Sequence, residues 1–499
     1  MTLAAGHPCG HRARPVASRL REQAMQHERV VRADGKSVTE AAGRRSATVR
    51  YANTLAFLLL LLCLLIAPFP HGAVLPAGKL RIEILAFVTA ALAFASRDAD
   101  EQLGPAAIPV AAICGIGLLG VMQLLPLEPE LLRRISPQSA STYTETNSLL
   151  RMSGQPPVAG RISIAPTDTK STTLLTFAYA AFFASAALLA TTRRRRRLIA
   201  AVLLAASAGQ VVISAVLSGS EERQHGAFVN ANHFAGYLQI SLAFAFGILT
   251  AEIMAGRERS MRIVDRGARF ESRVFAFSWR LLVWGVIAAG VALTRSRAGV
   301  MAAALATLIM VAAVLMRRPR SERGRRVGIA VAGAALLGIL FVAFTTGEAA
   351  ILRVLASDPR EIRTDIRAEI WNGSVQAWHL FPTFGSGLGT FRESFRRFQP
   401  GDMQGLVEQA HNDFLQLLVT GGWVGAALGV IAFGTTCVLL LAGWIHQRHR
   451  EEGAFILAAF GALLALSLHG LVEFNMSIPA IPSTLAVMLG AGLTAARTR

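Results

Sequence analysis

A histidine immediately precedes one of the long apolar segments of the chain. The segment reads EQAHNDFLQLLVTGGWVGAALGVIAF, and His411 belongs to its polar half. Because an imidazole exchanges a proton near neutral pH, His411 is a candidate general base. Asp413 would share its face if the backbone there is extended. Taken alone, His411 is more simply interpreted as an interfacial residue that only hydrogen-bonds its neighbours.

Three arginines differ from those that mark the ends of apolar segments. Arg295 and Arg297, in LTRSRAG, lie in a loop too short to leave the membrane surface. Such a cation needs an anionic partner, which is a carboxylate, a lipid head group or a substrate phosphate. Arg367, in DIRAEIW, could pair with a neighbouring carboxylate or bind a substrate, and its spacing favours neither interpretation.

Further polar residues crowd the ends of apolar segments. Asn230 and Asn232, in GAFVNANHFAGYL, could cap a helix or bind sugar hydroxyls. His469 and Glu473 are spaced to share a helix face, which favours a structural pair over a catalytic one. The glycines of GSGLG (385–389) indicate a tight turn, and a phosphate-binding role is no better supported than a plain turn.

Composition indicates the setting of these residues. Of the 499 residues, 53% are hydrophobic and only 16% are charged, against about a quarter in soluble proteins. Apolar runs of about 20 residues, enough to cross a bilayer as a helix, recur along the chain. They do not alternate with period two, which excludes a membrane β-barrel. The fold class expected is therefore an all-α polytopic membrane helix bundle.

The apolar runs predict about twelve spans, since each span needs about 20 residues. They lie at 52–70, 80–96, 106–126, 173–192, 198–217, 232–254, 276–294, 298–316, 327–346, 413–444, 453–473 and 479–496. Residues 1–50 are predicted to be a disordered basic cytoplasmic tail. The bundle would occupy 51–346 and 412–499, with a periplasmic loop at about 127–172 and a large one at 347–411 between the ninth and tenth spans.

The net charge of +19 is explained by topology rather than by nucleic acid binding. The basic residues form short clusters between apolar runs, as the positive-inside rule requires of cytoplasmic loops. With the N-terminus inside, the clusters at 193–197, 257–273, 317–326 and 446–450 all become cytoplasmic. Membrane lipids are thus expected partners, and the long loops face outward.

Four motifs in order resemble the O-antigen ligase and polymerase superfamily of bacterial membrane glycosyltransferases. They are GAFVNANHFAGYL, TRSRAG, R-x-x-x-W followed by P-x-x-G-x-G-L-G-x-F, and AHNDFLQ-x-x-x-x-G-x-x-G. The region that resembles this superfamily covers about residues 170–490. The resemblance implies a GT-C-like bundle in the inner membrane with its site facing the periplasm. It also implies an undecaprenyl-diphosphate-linked glycan donor, and a lipid A–core or glycan acceptor.

The resemblance also implies roles for individual residues. His411 matches the essential loop histidine of the family, and Arg297 and Arg367 match its essential arginines, although Arg363 lies close to Arg367. With no Asp-rich cluster in an outer loop, neither a metal nor another cofactor is expected. The residues expected to bind substrate are Arg295, Asn230, Asn232, Arg363 and Asp413. An O-antigen ligase is preferred over a polymerase, and a secondary transporter is the alternative of another class.

Overall fold

The computed structural model describes residues 47–97, 102–217, 223–255, 266–316, 366–399, 401 and 405–497. Of the predicted tail at 1–50, residues 1–46 lie outside these ranges and residues 47–50 begin a helix. The predicted ninth span at 327–346 and Arg363 also lie outside them. The described chain is helical, and the all-α bundle predicted from the sequence is confirmed.

Fifteen α-helices are named here in chain order. They are α1 Ala47–Ile66, α2 Pro76–Ala95, α3 Ala107–Leu124, α4 Pro129–Ile135, α5 Pro137–Met152, α6 Pro166–Leu189, α7 Arg193–Leu217, α8 Ala231–Ala255, α9 Arg266–Leu293, α10 Arg297–Met316, α11 Ile366–Leu380, α12 Phe391–Phe395, α13 Asp413–His446, α14 Arg450–His469 and α15 Ala480–Arg497. Short 3-10 turns lie at His71–Ala73, Gly104–Ala106, Arg396–Phe398 and Asn475–Ser477.

Nine of these helices are long and apolar enough to cross a membrane, within the ranges described. Each predicted span other than 327–346 coincides with a helix. The nine do not include α2 and α9, although α9 carries a shorter apolar stretch at Phe277–Leu293. The polytopic bundle follows from these helices, while the count of about twelve stays a prediction.

Four helices form the centre of the bundle. The spans in α6, α8, α14 and α15 are mostly buried, whereas those in α1 and α13 mostly face outward. Small residues allow close contact between the central helices: an added Cβ at Gly247 of α8 would lie 2.8 Å from the Ala454 carbonyl oxygen of α14. Such packing replaces the hydrophobic driving force that is missing between helices in lipid.

Different loops lie at the two ends of the bundle. At one end the segment between α5 and α6 joins the loop after α11, through Ile164 N–H donating to Ser386 O at 3.0 Å. At the other end Arg196 of α7 pairs with Glu452 of α14 at 2.7 Å. The predicted outer loops therefore share one end, and two of the predicted cytoplasmic clusters share the opposite end.

A break in α13 accommodates the GSGLG segment. Gly422 has φ 62° and ψ −163°, which interrupts the helical hydrogen bonds. Ser386 N–H donates to Val419 O and Gly387 N–H to Thr420 O, both at 3.1 Å. Because the freed groups of α13 are satisfied in this way, the segment is a buried structural turn whose amide groups serve the protein itself.

Three boundaries differ from the sequence prediction. The arginine run 193–197 is the first turn of α7 rather than a loop, and its arginines pair with glutamates of α14. The predicted loop at 127–172 contains α4 and α5, and α6 begins at Pro166. Finally, α14 ends at His469, so Glu473 lies in the following turn and not within a span.

Candidate active site

His411 is held in a short strained segment before α13. Its φ of 49° lies in the left-handed region, which non-glycine residues seldom adopt. On one side, Ala410 N–H donates to Gln416 Oε1 at 2.7 Å, and Ala410 O accepts from Trp371 Nε1 at 3.1 Å. On the other side, Asn412 caps α13 by accepting from the amides of Phe414 and Leu415. These contacts fix the backbone on both sides of His411.

The turn that follows α14 is fastened to the start of α13. Asp413 N–H donates to Gly470 O at 2.8 Å, and Met476 N–H donates to Asp413 Oδ1 at 3.0 Å. Asn412 Nδ2 also donates to Leu471 O at 2.9 Å. Asp413 thus joins two segments of backbone, and the turn carrying Glu473 is brought beside His411.

Glu473 gathers side chains from three other parts of the chain. Its Oε1 accepts from Arg367 Nη2 at 2.7 Å and from Asn232 Nδ2 at 2.6 Å. His411 Nδ1 lies 3.5 Å from Oε2, within ion-pair range although long for a hydrogen bond. These four residues are called the Glu473 cluster. Its carboxylate is 1% exposed, whereas Arg367 and His411 are about one-third exposed.

The charge of Glu473 depends on its neighbours. Burial raises the pKa of a carboxyl group because it disfavours the charged form. His411 lowers the pKa of Glu473, as do Arg367 and then His233. The net result is a pKa of about 2, below the usual 4.5. Glu473 is therefore a carboxylate at neutral pH, suited to orient an imidazole and to stabilise its protonated form.

Phe474 supports the histidine from the apolar side. The His411 ring meets the Phe474 ring edge-to-face, with centroids 4.8 Å apart and planes at 84°. His233 of α8 makes a similar contact with Phe474 at 4.5 Å and 73°. The imidazole of His411 is therefore restrained by an aromatic ring as well as by its backbone and by Glu473.

Arg223 links the cluster to the TRSRAG segment. Its Nη2 donates to Asn232 Oδ1 at 2.6 Å, and its Nε donates to Thr294 O at 3.0 Å. Partial burial lowers the pKa of Arg223, Glu473 opposes that shift, and Arg295 adds to it. Arg295 therefore lies at the same end of the bundle, in electrostatic reach of Arg223.

The other predicted site residues are placed differently. Asn230 accepts from the Asn232 amide at 2.8 Å, and its carbonyl accepts from His233 and Phe234, so it starts α8. Arg297 is exposed at the first position of α10. Within the described ranges no contact joins Arg297 to Glu473.

Two residues of this region were missed as functional candidates. The spacing of Glu473 and His469 favours a structural pair, and Arg223 belongs to none of the motifs. The signal for Glu473 was present, since a carboxylate beside an apolar span is costly unless it is paired. Nothing in the sequence near Arg223 indicated its contact with Asn232. In the part of the chain that the structure describes, no group of His, Cys, Asp or Glu is arranged to hold a metal ion.

Comparison with known proteins supports one family. Residues 281–430 match a family model described as O-antigen ligase. No curated protein matches the chain. The matched region holds Arg295, Arg297, Arg367 and His411, whereas Asn232 and Glu473 lie outside it. The match supports O-antigen ligase or polymerase activity in a multi-pass membrane protein, and it confirms the resemblance of this chain to the O-antigen ligase and polymerase superfamily.

Proposed function

We propose that this protein transfers a glycan from an undecaprenyl-diphosphate carrier to an acceptor hydroxyl at the periplasmic face of the inner membrane. We further propose ligase activity, with lipid A–core as acceptor. The observation that carries the proposal is the Glu473 cluster, in which one buried carboxylate pairs with Arg367 and faces His411. A general base and a cation for phosphate are thereby held at one end of a membrane bundle.

His411 acts as the base in this proposal. With Nδ1 turned toward Glu473, Nε2 is the nitrogen that takes the proton of the acceptor hydroxyl. The hydroxyl oxygen forms a bond to the anomeric carbon as the bond from that carbon to the phosphate oxygen breaks. A base of this kind contributes about 10²–10⁴-fold to the rate. A single displacement inverts the anomeric centre, so a product that retains the donor configuration would exclude the one-step reaction.

The arginines stabilise the leaving group. Negative charge grows on the diphosphate as the glycosidic bond breaks, and a guanidinium binds phosphate oxygens in a bidentate manner while keeping its own charge. A guanidinium has five N–H donors, so one arginine can bind a carboxylate and phosphate oxygens at the same time. We assign this role to Arg367 and Arg297, without a metal, with Arg295 and Arg363 assisting.

The remaining candidate residues bind the substrate or position the residues that do. Asn232 reaches the cluster from α8 and is suited to sugar hydroxyls, while Asn230 acts through the start of that helix. Asp413 fixes the turn that carries Glu473, so its effect on substrate is indirect. Preorganised charge of this kind is usually a large part of catalysis.

The test is complementation of a strain that lacks the gene, using wild type, His411→Ala and His379→Ala. His379 is an exposed histidine at the end of α11, and it serves as the matched control. We expect the His411 variant to reach the membrane while carrier-linked polymer accumulates and lipid A–linked polymer is lost.

Each other outcome has a distinct meaning. If single repeat units remain on lipid A, the protein is a polymerase of the same superfamily. If His411→Ala complements as well as wild type, His411 is not the base. If the purified protein moves glycan carriers across proteoliposomes and forms no glycan product, it is a transporter.

A further inference from the structure

A large lateral groove lies between α7, α8, α9 and α14. Its volume is about 1120 Å³, above the roughly 300–1,000 Å³ typical of sites for small ligands. The groove begins at Arg193 and Glu452, which belong to the end of the bundle opposite to the Glu473 cluster. It is therefore separate from the proposed glycosyl-transfer site.

Small residues on α7 create this space. Ala201, Ala205 and Gly209 line it, and no atom of the described residues lies within 4 Å of a Cβ added at Gly209. Exposed apolar side chains border the same groove at Val212 and Leu282. The groove thus opens toward the surface that faces lipid, where acyl chains are the surrounding solvent.

One end of the groove is basic. Among the described residues, four arginines and two glutamates line it, which gives that lining a formal charge of +2. The arginines are Arg193, Arg196, Arg197 and Arg280, and the glutamates are Glu451 and Glu452. Glu452 is buried and pairs with both Arg196 and Arg193, and Glu451 pairs with Arg197. The side chains of Arg193 and Arg197 nevertheless remain half or more exposed. Cations at the mouth of an apolar groove are complementary to an anionic head group with acyl chains.

The length of the groove fits that ligand. On α7 the lining beyond the arginine run extends from Arg197 to Ile213, which are 16 positions apart and span roughly 24 Å at 1.5 Å per residue. One leaflet contributes about half of the ~30 Å hydrocarbon core. The apolar lining is therefore long enough to cover an acyl chain that starts at the basic end.

We propose that this groove binds one anionic phospholipid of the bilayer, in the leaflet on the side of the arginine run. Its phosphate lies at Arg193, Arg197 and Arg280, and its acyl chains lie along the small residues of α7. Basic pockets between membrane helices on the cytoplasmic side recognise anionic lipids in this manner. In the topology predicted by the positive-inside rule, this leaflet is the inner one.

Native mass spectrometry of the full-length protein in detergent tests the proposal. Phosphatidylglycerol is titrated against phosphatidylethanolamine of the same chain lengths. We expect one phosphatidylglycerol to bind in preference. Arg193→Gln with Arg197→Gln should weaken that binding about 5-fold per arginine, a magnitude typical of basic residues near anionic lipid. Arg194→Gln is the matched control, because Arg194 belongs to the same run but does not line the groove.

A second variant tests the apolar part without changing charge. Gly209→Leu fills the groove and should reduce binding of both lipids, whereas Gly209→Ala should not. Equal binding of the two lipids, equal loss with Arg194→Gln, or full binding with Gly209→Leu would each overturn the proposal. A complex of two chains that disappears with Gly209→Leu would instead make the groove an interface between copies. Thermal midpoints in detergent confirm that the compared variants are folded.

Discussion

Each end of the bundle buries a glutamate that accepts a hydrogen bond from an arginine at 2.7 Å. At one end the pair is Glu452 with Arg196, whose side chains are 4% and 3% exposed. At the other end Glu473 is 1% exposed but its partner Arg367 is 32% exposed. Both side chains of the first pair are therefore buried. The second presents its cation, and the facing His411, to whatever reaches that end of the bundle.

The comparison shows that a buried charge pair alone does not indicate function. Each glutamate compensates a cation that would otherwise be costly near lipid. Glu452 also has an exposed cation beside it, because Arg193 lies 3.2 Å from the same oxygen and is half exposed. What differs is the presence of His411, a group that can exchange a proton. We therefore expect changes at Glu452 to alter stability, and changes in the Glu473 cluster to alter the reaction.

The largest expected effect is on glycan transfer by His411→Ala. We expect the rate to fall about 10²–10⁴-fold, the range for loss of a general base. Glu473→Gln should also lower the rate, because the amide orients the imidazole but no longer stabilises its charged form. The double variant should be no slower than the slower single variant, since residues that act as a unit are not additive. Transfer rates of purified variants measure this, and independent losses that multiply would contradict the cluster.

At the opposite end of the bundle, we expect replacement of Glu452 to lower the stability of the protein. Glu452→Gln leaves Arg196 buried without a carboxylate, and breaking such a pair costs about 3–5 kcal/mol. Glu451→Gln is the matched control: Glu451 is exposed and pairs with Arg197, where such pairs contribute about 0–1 kcal/mol. Thermal unfolding in detergent measures both. Transfer by Glu452→Gln at low temperature should remain near wild type, and a lost rate with unchanged stability would remove the distinction between the two ends.

Much of the fold could be predicted because lipid restricts the chain. A continuous apolar run in a membrane must satisfy its backbone internally, and a helix does this. The ends of helices were harder. The predicted span 453–473 continues past His469 because Leu471 and Val472 are apolar, but Gly470 O accepts from Asp413 N–H and the helix stops. That contact is tertiary, so local hydropathy cannot indicate it.

The candidate site shows the same limit. His411 and Arg367 could be singled out because each stands in a recognisable motif. The role of Glu473 depends on Asn232 and Arg367, which are 241 and 106 residues away along the chain. No pattern of spacing reports such a meeting. The break at Gly422 was hidden likewise, because hydropathy is the same for a straight helix and for one interrupted by the GSGLG segment.

Replacement of Arg367 by lysine tests whether the charge of this side chain is sufficient. Lysine keeps the charge beside Glu473 but loses the planar donors that suit phosphate. We expect a transfer rate about 10–100-fold lower, comparable to losing one hydrogen bond to a charged group. Arg392→Lys is the control, because Arg392 is half-exposed and pairs with the adjacent Glu393. If Arg367→Lys retains the wild-type rate, the charge alone suffices and bidentate binding is not used.

The smallest expected effect concerns pH and the stability that Glu473 contributes. Its pKa in the folded protein is about 2, below the usual 4.5. A lowered pKa means that the contribution is complete above 4.5 and is lost as the pH falls toward 2. The difference in thermal midpoint between wild type and Glu473→Gln should therefore not shrink between pH 8 and pH 5, and should narrow below pH 4.5.

The same measurement distinguishes the two influences on Glu473. Burial raises the pKa of its carboxyl group, and the cations lower it. If the difference between wild type and Glu473→Gln narrows between pH 7 and pH 5.5, the carboxyl takes up a proton there and burial dominates. The exposure of Arg367 would then weaken the pair, and Glu473 would be neutral under the conditions in which His411 is proposed to act. A difference that persists to pH 5 supports a carboxylate held by its cations.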